Sequence, residues 1–438
     1  MKREKLISNI IFLGISIISF ISISVYLENS LGLNLTNPIL IWPISLLALS
    51  IFFAQNIHSS NKYNRKLFIY INIYILWNII SIIRGIFEAE TYWHWKSLIS
   101  NIFPLMLPII TVIFIKPKIL QITISNYLKI LLPIFFLFLI FLIPSQTYGF
   151  YLIPITFLIF FLPDYQYRWI ALIGLITIFI LFSNLGARSN VIKFIIPYLI
   201  LLLYPFKRWI SKHQLFILCN ILFIIPVLLF WLAISDVFNI FEIDQYIEGD
   251  YSEVKINSKG ENEKEDLTAD TRTFIYEEVL STATKYNSWI IGRSPARGNE
   301  TEWFGKEMIE NFGVNERFKN EVAIVNIFTW TGVVGVFIYF MIFYQASFYA
   351  VTKSNNIYSK LIGVFIAFRW VYSWVEDVNN FDLNYGMLWI LIGFGLSPYF
   401  RKMNDLEIKI WARGIFDKNY RNLNLKNTIE DSILISEK

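Results

Sequence analysis

Apolar residues in this chain occur in unbroken runs long enough to cross a lipid bilayer, and this feature constrains its fold most. A hydrocarbon core of about 30 Å requires roughly 20 residues of helix. Charged residues make up only 16% of the chain, against about a quarter in ordinary globular domains. Strands of a transmembrane barrel alternate polar and apolar residues, and these runs do not. The sequence therefore predicts an all-α polytopic membrane protein.

Applying this length criterion predicts about twelve membrane-spanning helices. Those around residues 150–162, 169–182 and 191–204 are short, and we expect tilted or broken helices there, because neighbouring protein or water can satisfy their backbone. The predicted spans are 6–27, 38–57, 67–87, 98–115, 128–144, 150–162, 169–182, 191–204, 215–235, 322–344, 361–375 and 383–399.

Basic residues near the span ends orient the chain through the positive-inside rule. They concentrate at both ends of the chain and in the even-numbered loops, for example at Lys116, Lys207 and Lys353. Both termini are therefore predicted in the cytoplasm. The largest loop, residues 236–321, carries 19 acidic and 10 basic residues and is odd-numbered, so it is predicted outside.

Four parts follow from this division of the chain. Residues 1–235 form an N-terminal bundle of about nine spans, 236–321 the external loop, 322–399 about three further spans, and 400–438 a cytoplasmic tail. Within the loop, Phe274, Val279 and Ala283 have helical spacing and predict a helix folded against the membrane. In the tail, Trp411 and Ile415 are predicted to rest on the headgroups.

Arginines on the predicted outer side are the first candidates for chemistry. Arg188 lies in a small polar break between two short spans, and Arg272, Arg293 and Arg297 lie in the external loop. Forked guanidinium groups suit a phosphate or diphosphate, and an intramembrane arginine is by default a functional candidate. The alternatives are a snorkelling interfacial arginine for Arg188 and ordinary ion pairs for the other three.

Two acidic residues complete the candidate site. Glu321 begins the tenth predicted span, where a carboxylate can act as a general base on a sugar hydroxyl; the alternative is a helix cap, with Arg317 as its ion-pair partner. Arg369 lies inside the eleventh span, and Glu376 follows seven residues later on the same helix face. This pair can bind substrate or form a buried structural pair.

Several classes of site are excluded by the sequence itself. The three histidines lie on different loops and give no metal-binding spacing. They also give no Ser/His/Asp arrangement that one side of the membrane can assemble. The sequence contains no glycine-rich nucleotide loop, so we predict no metal, no cofactor and no nucleic-acid partner.

Three motifs in order give the chain a family resemblance. They are GARS at 186–189, DTRTFIYE at 270–277 followed by WIIGR at 289–293, and EVAIVNIFTWTGVVG at 321–335. Together with the many spans and the long outer loop, they resemble the bacterial O-antigen polymerases (Wzy type) and, more distantly, the O-antigen ligases. The resemblance covers residues 182–399 best, and the first half matches only in hydropathy.

The resemblance implies a glycosyltransferase of the helical membrane type (GT-C-like), in the bacterial inner membrane with the large loop in the periplasm. Such enzymes join oligosaccharide repeat units carried on undecaprenyl diphosphate. By this analogy Arg188, Arg272 and Arg293, with Arg297, hold the diphosphate, and Glu321 and Arg188 are catalytic. A chain-length regulator is the implied protein partner, besides membrane lipid.

Two other functions remain as alternatives. An O-antigen ligase transfers polymer to lipid A–core, but ligases carry a histidine near the end of the loop, where this chain has Glu321. A flippase for the same lipid-linked units would show two similar halves and central charges. The sequence shows neither, which favours the polymerase.

Overall fold

A computed structural model describes residues 2–60, 65–184, 187–235, 237–241, 252–256, 262–266, 272–376 and 379–422. The described chain is mostly helical (78%), which confirms the predicted all-α class. Seven helical segments in this part of the chain are long and apolar enough to cross a membrane: Glu4–Ile21, Pro38–Asn56, Lys66–Glu88, Tyr92–Ile113, Pro117–Phe141, Lys212–Ile234 and Ala323–Thr352.

The α-helices number in chain order as follows: α1 (Lys2–Ile21), α2 (Ser24–Leu31), α3 (Pro38–Ser60), α4 (Ile69–Glu88), α5 (Tyr92–Met106), α6 (Ile110–Ile113), α7 (Pro117–Asn126), α8 (Leu132–Leu137), α9 (Tyr148–Leu152), α10 (Pro154–Ile159), α11 (Tyr167–Ser183), α12 (Arg188–Leu201), α13 (Lys212–Ile234), α14 (Arg272–Lys285), α15 (Gly305–Phe312), α16 (Ala323–Thr352), α17 (Ile357–Tyr372), α18 (Leu383–Leu396), α19 (Pro398–Lys402), α20 (Asp405–Phe416) and α21 (Lys418–Asn422).

Two short antiparallel pairs are the described strands, and both belong to the large loop. β1 (Ser252–Ile256) pairs with β2 (Asn262–Asp266). β3 (Asn299–Glu300) pairs with β4 (Glu316–Arg317), with Glu300 opposite Glu316. The second pair draws the two ends of residues 299–317 together and fixes the position of Glu316.

Helices α16, α17 and α18 form the centre of the bundle. Their tryptophans Trp330, Trp370 and Trp389 are fully buried, and α16 packs on α4, α13, α17 and α18. The predicted short span at 150–162 becomes α9 and α10, and residues 151–161 are buried throughout. Neighbouring helices therefore surround this broken segment, which is the condition under which interrupted helices are tolerated at membrane depth.

A break in α16 receives the large loop. Gly332 has a left-handed backbone (φ 69°) inside the helix, and its freed neighbours Val333 and Val334 donate to the carbonyls of Trp289 and Ile290 at 2.9 and 3.2 Å. A side chain at Gly332 would lie 2.2 Å from the Ile290 oxygen. Glycine is required here, and two motifs of the sequence, WIIGR and TWTGVVG, meet at this break.

The opposite end of the bundle is covered by the C-terminal helices. Trp411 and Ile415 of α20 are buried, and the Trp411 indole donates to the Pro117 carbonyl at 3.0 Å. The Gln121 amide donates to the Trp411 carbonyl at 2.5 Å. Our prediction that Trp411 and Ile415 rest on the headgroups is therefore wrong, because these side chains fill a gap against α7 instead.

Candidate functional site

The predicted site residues fall into two groups at the loop end of the bundle, which we define as the end carrying residues 272–321. The first group, the Glu316 cluster, consists of His94, Arg293, Arg297 and Glu316. Glu316 Oε1 accepts from Arg293 Nη2 at 3.2 Å and from Arg297 Nη1 at 3.4 Å. Its other oxygen accepts from the Gly298 amide at 2.9 Å. One carboxylate thus receives two guanidinium groups.

Arg293 is held on every side within this cluster. Its side chain is 9% exposed, its Nη1 donates to the Gly298 carbonyl at 2.7 Å, and its guanidinium lies 3.9 Å from the centroid of the Tyr286 ring. Its backbone amide donates to the Thr329 carbonyl at the break in α16. Arg293 therefore fastens the loop to α16, and its donors are directed at protein acceptors.

Arg297 joins the loop to the start of α5. Its Nη2 lies 2.8 Å from Glu90 Oε2, and this hydrogen bond holds the pKa of the Glu90 carboxyl below its ordinary value. Its Nη1 lies 3.1 Å from Nε2 of His94, whose Nδ1 faces the amides of Glu90 and Thr91 at 3.2 and 3.3 Å. His94 thereby belongs to the cap of α5 as well as to the Glu316 cluster.

The second group, the Glu376 cluster, consists of Lys193, Arg272 and Glu376. Glu376 follows the end of α17, and its two oxygens lie 3.9 Å from Lys193 Nζ and 3.9 Å from Arg272 Nη2. The Lys193 side chain is only 4% exposed. Helices α12 and α14 and the segment after α17 thus direct charged groups to one point.

Arg369 and Arg188 border this cluster. Arg369 is buried in α17, donates to Asn384 Oδ1 of α18 at 3.3 Å, and lies 5.8 Å from the centroid of the Tyr372 ring. Arg188 is exposed at the first turn of α12. Its neighbour Ser189 accepts from the Tyr372 hydroxyl through its carbonyl at 3.3 Å, which connects α12 to α17 beside Arg369.

An apolar cavity of about 430 Å³ adjoins the Glu376 cluster. It lies between the end of α13, the first half of α14 and the last turn of α17, and its lining includes Phe230, Tyr276 and Trp374. Thr273 and Val375 also line it, and they directly follow Arg272 and precede Glu376 in the chain. The mostly apolar cavity therefore adjoins the two segments that carry Arg272 and Glu376, and its lining also includes Glu277.

Glu321 is exposed just before α16. The first amides of α16, those of Ala323 and Ile324, donate to the carbonyls of Glu376 and Ser373 at 3.3 and 3.0 Å. The chain at Glu321 is thus anchored beside the Glu376 cluster, although no contact joins the two carboxylates among the described atoms. Arg317 is near Glu321, and this carboxylate partly opposes the lowering of the Arg317 pKa by burial.

Sequence reasoning missed several residues of both clusters. Lys193 lies within a predicted span, and a charged residue inside a membrane span is itself a signal of a paired or functional group. Glu316 and His94 gave no signal, because their roles depend on contacts distant in sequence.

Lys319 donates to the Asn379 carbonyl at 3.1 Å and to the Asn380 side chain, and burial lowers its pKa to about 8.

A network of buried asparagines joins the loop to α16. Asn326 donates to the Asn320 carbonyl at 2.8 Å and to the Asn379 side chain at 2.9 Å, and Asn320 donates to the Asn299 side chain at 2.9 Å. Amide side chains both donate and accept, so this network can bind the end of the loop to α16 and to the segment between α17 and α18. It fixes the segment that carries Glu321.

The fold and the two clusters define an α-helical membrane protein with a charged site at one end of its bundle. Within the described part of the chain, no group of three or more His, Cys, Asp or Glu side chains is placed to hold a metal ion. Comparison with known proteins finds no matching family model, curated protein or solved structure. Its function therefore has to be inferred from its own residues.

Proposed function

We propose that this protein is an O-antigen polymerase of the Wzy type, a glycosyltransferase that joins undecaprenyl-diphosphate-linked repeat units at the outer face of the bacterial inner membrane. The observation that carries the proposal is the apolar cavity beside the Glu376 cluster. A lipid diphosphate has an apolar chain and an anionic head, and cavity and cluster offer the matching surfaces in the same order. Guanidinium groups match phosphate oxygens through paired donors.

In this proposal the diphosphate lies between Arg188, Arg272, Lys193 and Arg369. A hydroxyl of a fresh repeat unit attacks the anomeric carbon of the growing chain, and the bond to the lipid diphosphate breaks with its electron pair. Because the leaving group is already activated, the protein must mainly position the reactants and stabilise the charge that develops on the diphosphate. No nucleotide or metal is required by this chemistry.

The proton of the attacking hydroxyl needs an acceptor, and Glu321 is the candidate. Its carboxylate is exposed, whereas Glu376 lies between Lys193 and Arg272 and is better placed to orient them. Both acids lie on segments fixed to each other by the first amides of α16. A base and a diphosphate site on adjoining segments suit a reaction in which acceptor and donor meet.

The remaining parts of the proposal come with the family. They are a GT-C-like arrangement of the helices, cytoplasmic termini, a periplasmic loop and a chain-length regulator as partner. The basic residues near the predicted span ends support the orientation. A polymerase that adds repeat units one after another also needs a control of polymer length, which a separate regulator protein can supply.

An O-antigen ligase is the second candidate, because the fold brings a histidine to the end of the loop. His94 Nε2 lies 3.8 Å from Glu316 Oε2, although the two residues are far apart in sequence. However, His94 is buried, and its ring nitrogens face Arg297 and the amides of the α5 cap. A histidine so enclosed is poorly placed to receive a proton from a sugar, which favours the polymerase.

The test is a gel of the surface polysaccharide from the source strain with this gene deleted and then restored. We expect the long ladder to collapse to core plus one repeat unit and to return on restoration. Loss of all attached units with lipid-linked polymer accumulating would identify a ligase instead. Single lipid-linked units retained on the inner face would identify a flippase, and an unchanged ladder would refute all three.

A further inference from the structure

A group of aromatic residues forms a platform on the large loop, separate from both charged clusters. Trp303 is 73% exposed, and its ring lies 5.2 Å from that of Phe274 and is tilted by 30°. Phe274 also contacts Phe304 at 5.8 Å, and the Arg317 guanidinium lies 4.9 Å from the Phe304 ring centroid. We call these four residues, with Glu278, the Trp303 platform.

The backbone beneath Trp303 is firmly held. Glu278 Oε1 accepts from the Thr301 hydroxyl at 2.8 Å and from the amides of Glu302 and Trp303 at 2.8 and 3.2 Å. One carboxylate on α14 thus fixes three successive residues. An exposed indole on a fixed backbone presents a flat apolar surface at little cost in conformational entropy, as binding sites do.

Hydrogen-bonding groups border the aromatic surface. Glu278 and Glu321 both lie near Arg317, because each partly opposes the effect of burial on that guanidinium. Glu278 Oε2 and Arg317 Nη1 are buried and have no hydrogen-bond partner among the described residues. Because both atoms are closed to solvent, the group that a ligand on this surface can reach is the exposed Glu321 carboxylate, to which a hydroxyl can donate. The surroundings of the platform therefore suit a ligand rich in hydroxyls.

The position of the platform relates it to the proposed diphosphate site. Phe274 and Glu278 are on α14, which begins at Arg272. With a rise of about 1.5 Å per residue, they lie roughly 3 to 9 Å along the helix from that arginine. This distance corresponds to about one or two sugar rings. Around the helix axis, however, both residues lie on the face of α14 turned away from Arg272, so an oligosaccharide attached to a diphosphate at Arg272 would have to pass around α14 to reach this surface.

We propose that the Trp303 platform binds a sugar ring of the lipid-linked oligosaccharide, an inference that rests on the proposed function for the identity of the saccharide. A pyranose has a face of C–H groups that stacks on an aromatic ring and a rim of hydroxyls that can donate to the exposed Glu321 carboxylate. A lipid headgroup surface is the less favoured ligand, because the neighbours Glu302 and Glu307 are exposed and acidic.

Saturation-transfer NMR tests this on the purified full chain in detergent micelles. The probe is the oligosaccharide released by mild acid from the surface polysaccharide of the source strain. We expect transfer from protein to sugar ring protons in the wild type. Trp303→Ala should weaken binding about tenfold or more, and Trp303→Tyr should retain most of it. Equal melting temperatures would show that the variants are folded.

Trp209→Ala is the matched control, because Trp209 is 83% exposed and lies between α12 and α13 at the end of the bundle away from Arg188. Binding by Trp303→Ala equal to the wild type, or equal loss in both alanine variants, would overturn the inference. So would absence of transfer in the wild type, even if the gene proves to encode a polymerase. Trp303-dependent binding with an unchanged polysaccharide ladder would keep the sugar site and refute only the polymerase.

Discussion

The Glu316 cluster and the Glu376 cluster both direct basic side chains at one glutamate, yet they differ in how closely the groups meet and in what adjoins them. In the Glu316 cluster the guanidinium nitrogens lie 3.2 and 3.4 Å from the carboxylate, and backbone groups complete the set. In the Glu376 cluster both cations lie 3.9 Å from the carboxylate, and an apolar cavity begins beside them.

This difference separates two uses of arginine. A buried ion network with short contacts is costly to open, because each charge would lose its partners in a medium of low dielectric. Arg293 and Arg297 therefore serve mainly to fasten the loop to α5 and α16. Longer and weaker contacts beside a cavity make it easier for a cation to turn towards an anionic ligand, so Arg272 is the better candidate for a ligand.

The largest effect should come from removing Glu316. Glu316→Ala leaves Arg293 and Arg297 without their shared carboxylate, and we expect the free energy of unfolding to fall by about 3–5 kcal/mol. Denaturation in detergent micelles measures this. Asp405→Ala is the control, because its ion pair with Lys207, at the other end of the bundle, is largely exposed and should contribute about 1 kcal/mol or less. Similar losses for both variants would contradict a structural role specific to Glu316.

The second-largest effect should come from substituting Arg272, which should lower activity and leave stability nearly unchanged. Arg272→Ala should reduce polymer formation about 100-fold, the loss typical of removing one group that stabilises transition-state charge, with little change in melting temperature. Arg272→Lys should recover only part, since an ammonium lacks the forked donors. The measurement combines the polysaccharide ladder with the amount of folded protein in the membrane.

Arg293→Ala and Arg208→Ala complete that comparison. Arg293→Ala should lower the amount of folded protein, and any loss of polymer should follow that amount. Arg208→Ala, at an exposed position away from the loop end, should change neither. If Arg272→Ala lost folded protein and Arg293→Ala lost polymer alone, the assignment of the two clusters would have to be exchanged.

Sequence reasoning predicted the helical membrane class because long apolar runs follow directly from the thickness of a bilayer. It also predicted a helix around Val279 and Ala283, and α14 buries both. It could not distinguish the role of Arg293 from that of Arg272, since both are loop arginines within the motifs WIIGR and DTRTFIYE. The environment of each arginine depends on its glutamate partner, Glu316 for Arg293 and Glu376 for Arg272. Glu316 is brought close by the pairing of β3 with β4, and Glu376 by the packing of α17.

The break in α16 shows the same limit. Gly332 was visible in a motif, but a glycine inside an apolar run is also compatible with an uninterrupted membrane helix. The need for a left-handed backbone at Gly332 becomes clear only from the structure, in which the Ile290 carbonyl lies against it. The position of Trp411 was missed for a similar reason, because an amphipathic helix after the last span fits a membrane surface and a groove of its own protein equally well.

The smallest effect concerns Lys319, which follows Glu316 by three residues and donates to the Asn379 carbonyl. Burial lowers its pKa from 10.5 to about 8, and Asp382 only partly offsets this. An unfolded chain keeps the proton up to about pH 10.5, so folding releases a proton between these values. The free energy of unfolding should therefore rise with pH across this window, by about 3 kcal/mol in total and by about 2 kcal/mol between pH 7.5 and pH 9.5.

Denaturation at pH 7.5 and pH 9.5 measures this rise, and Lys319→Met should reduce it because the substituted side chain does not titrate. A second comparison uses polymer formation at the same two values. If the Lys319 charge also attracts the diphosphate, activity should fall as the pH passes 8 while stability rises. If stability rises with pH while the activity of the wild type equals that of the Lys319→Met variant at both pH values, Lys319 has only a structural role. An identical pH dependence of unfolding in both proteins would contradict burial as the cause of its lowered pKa.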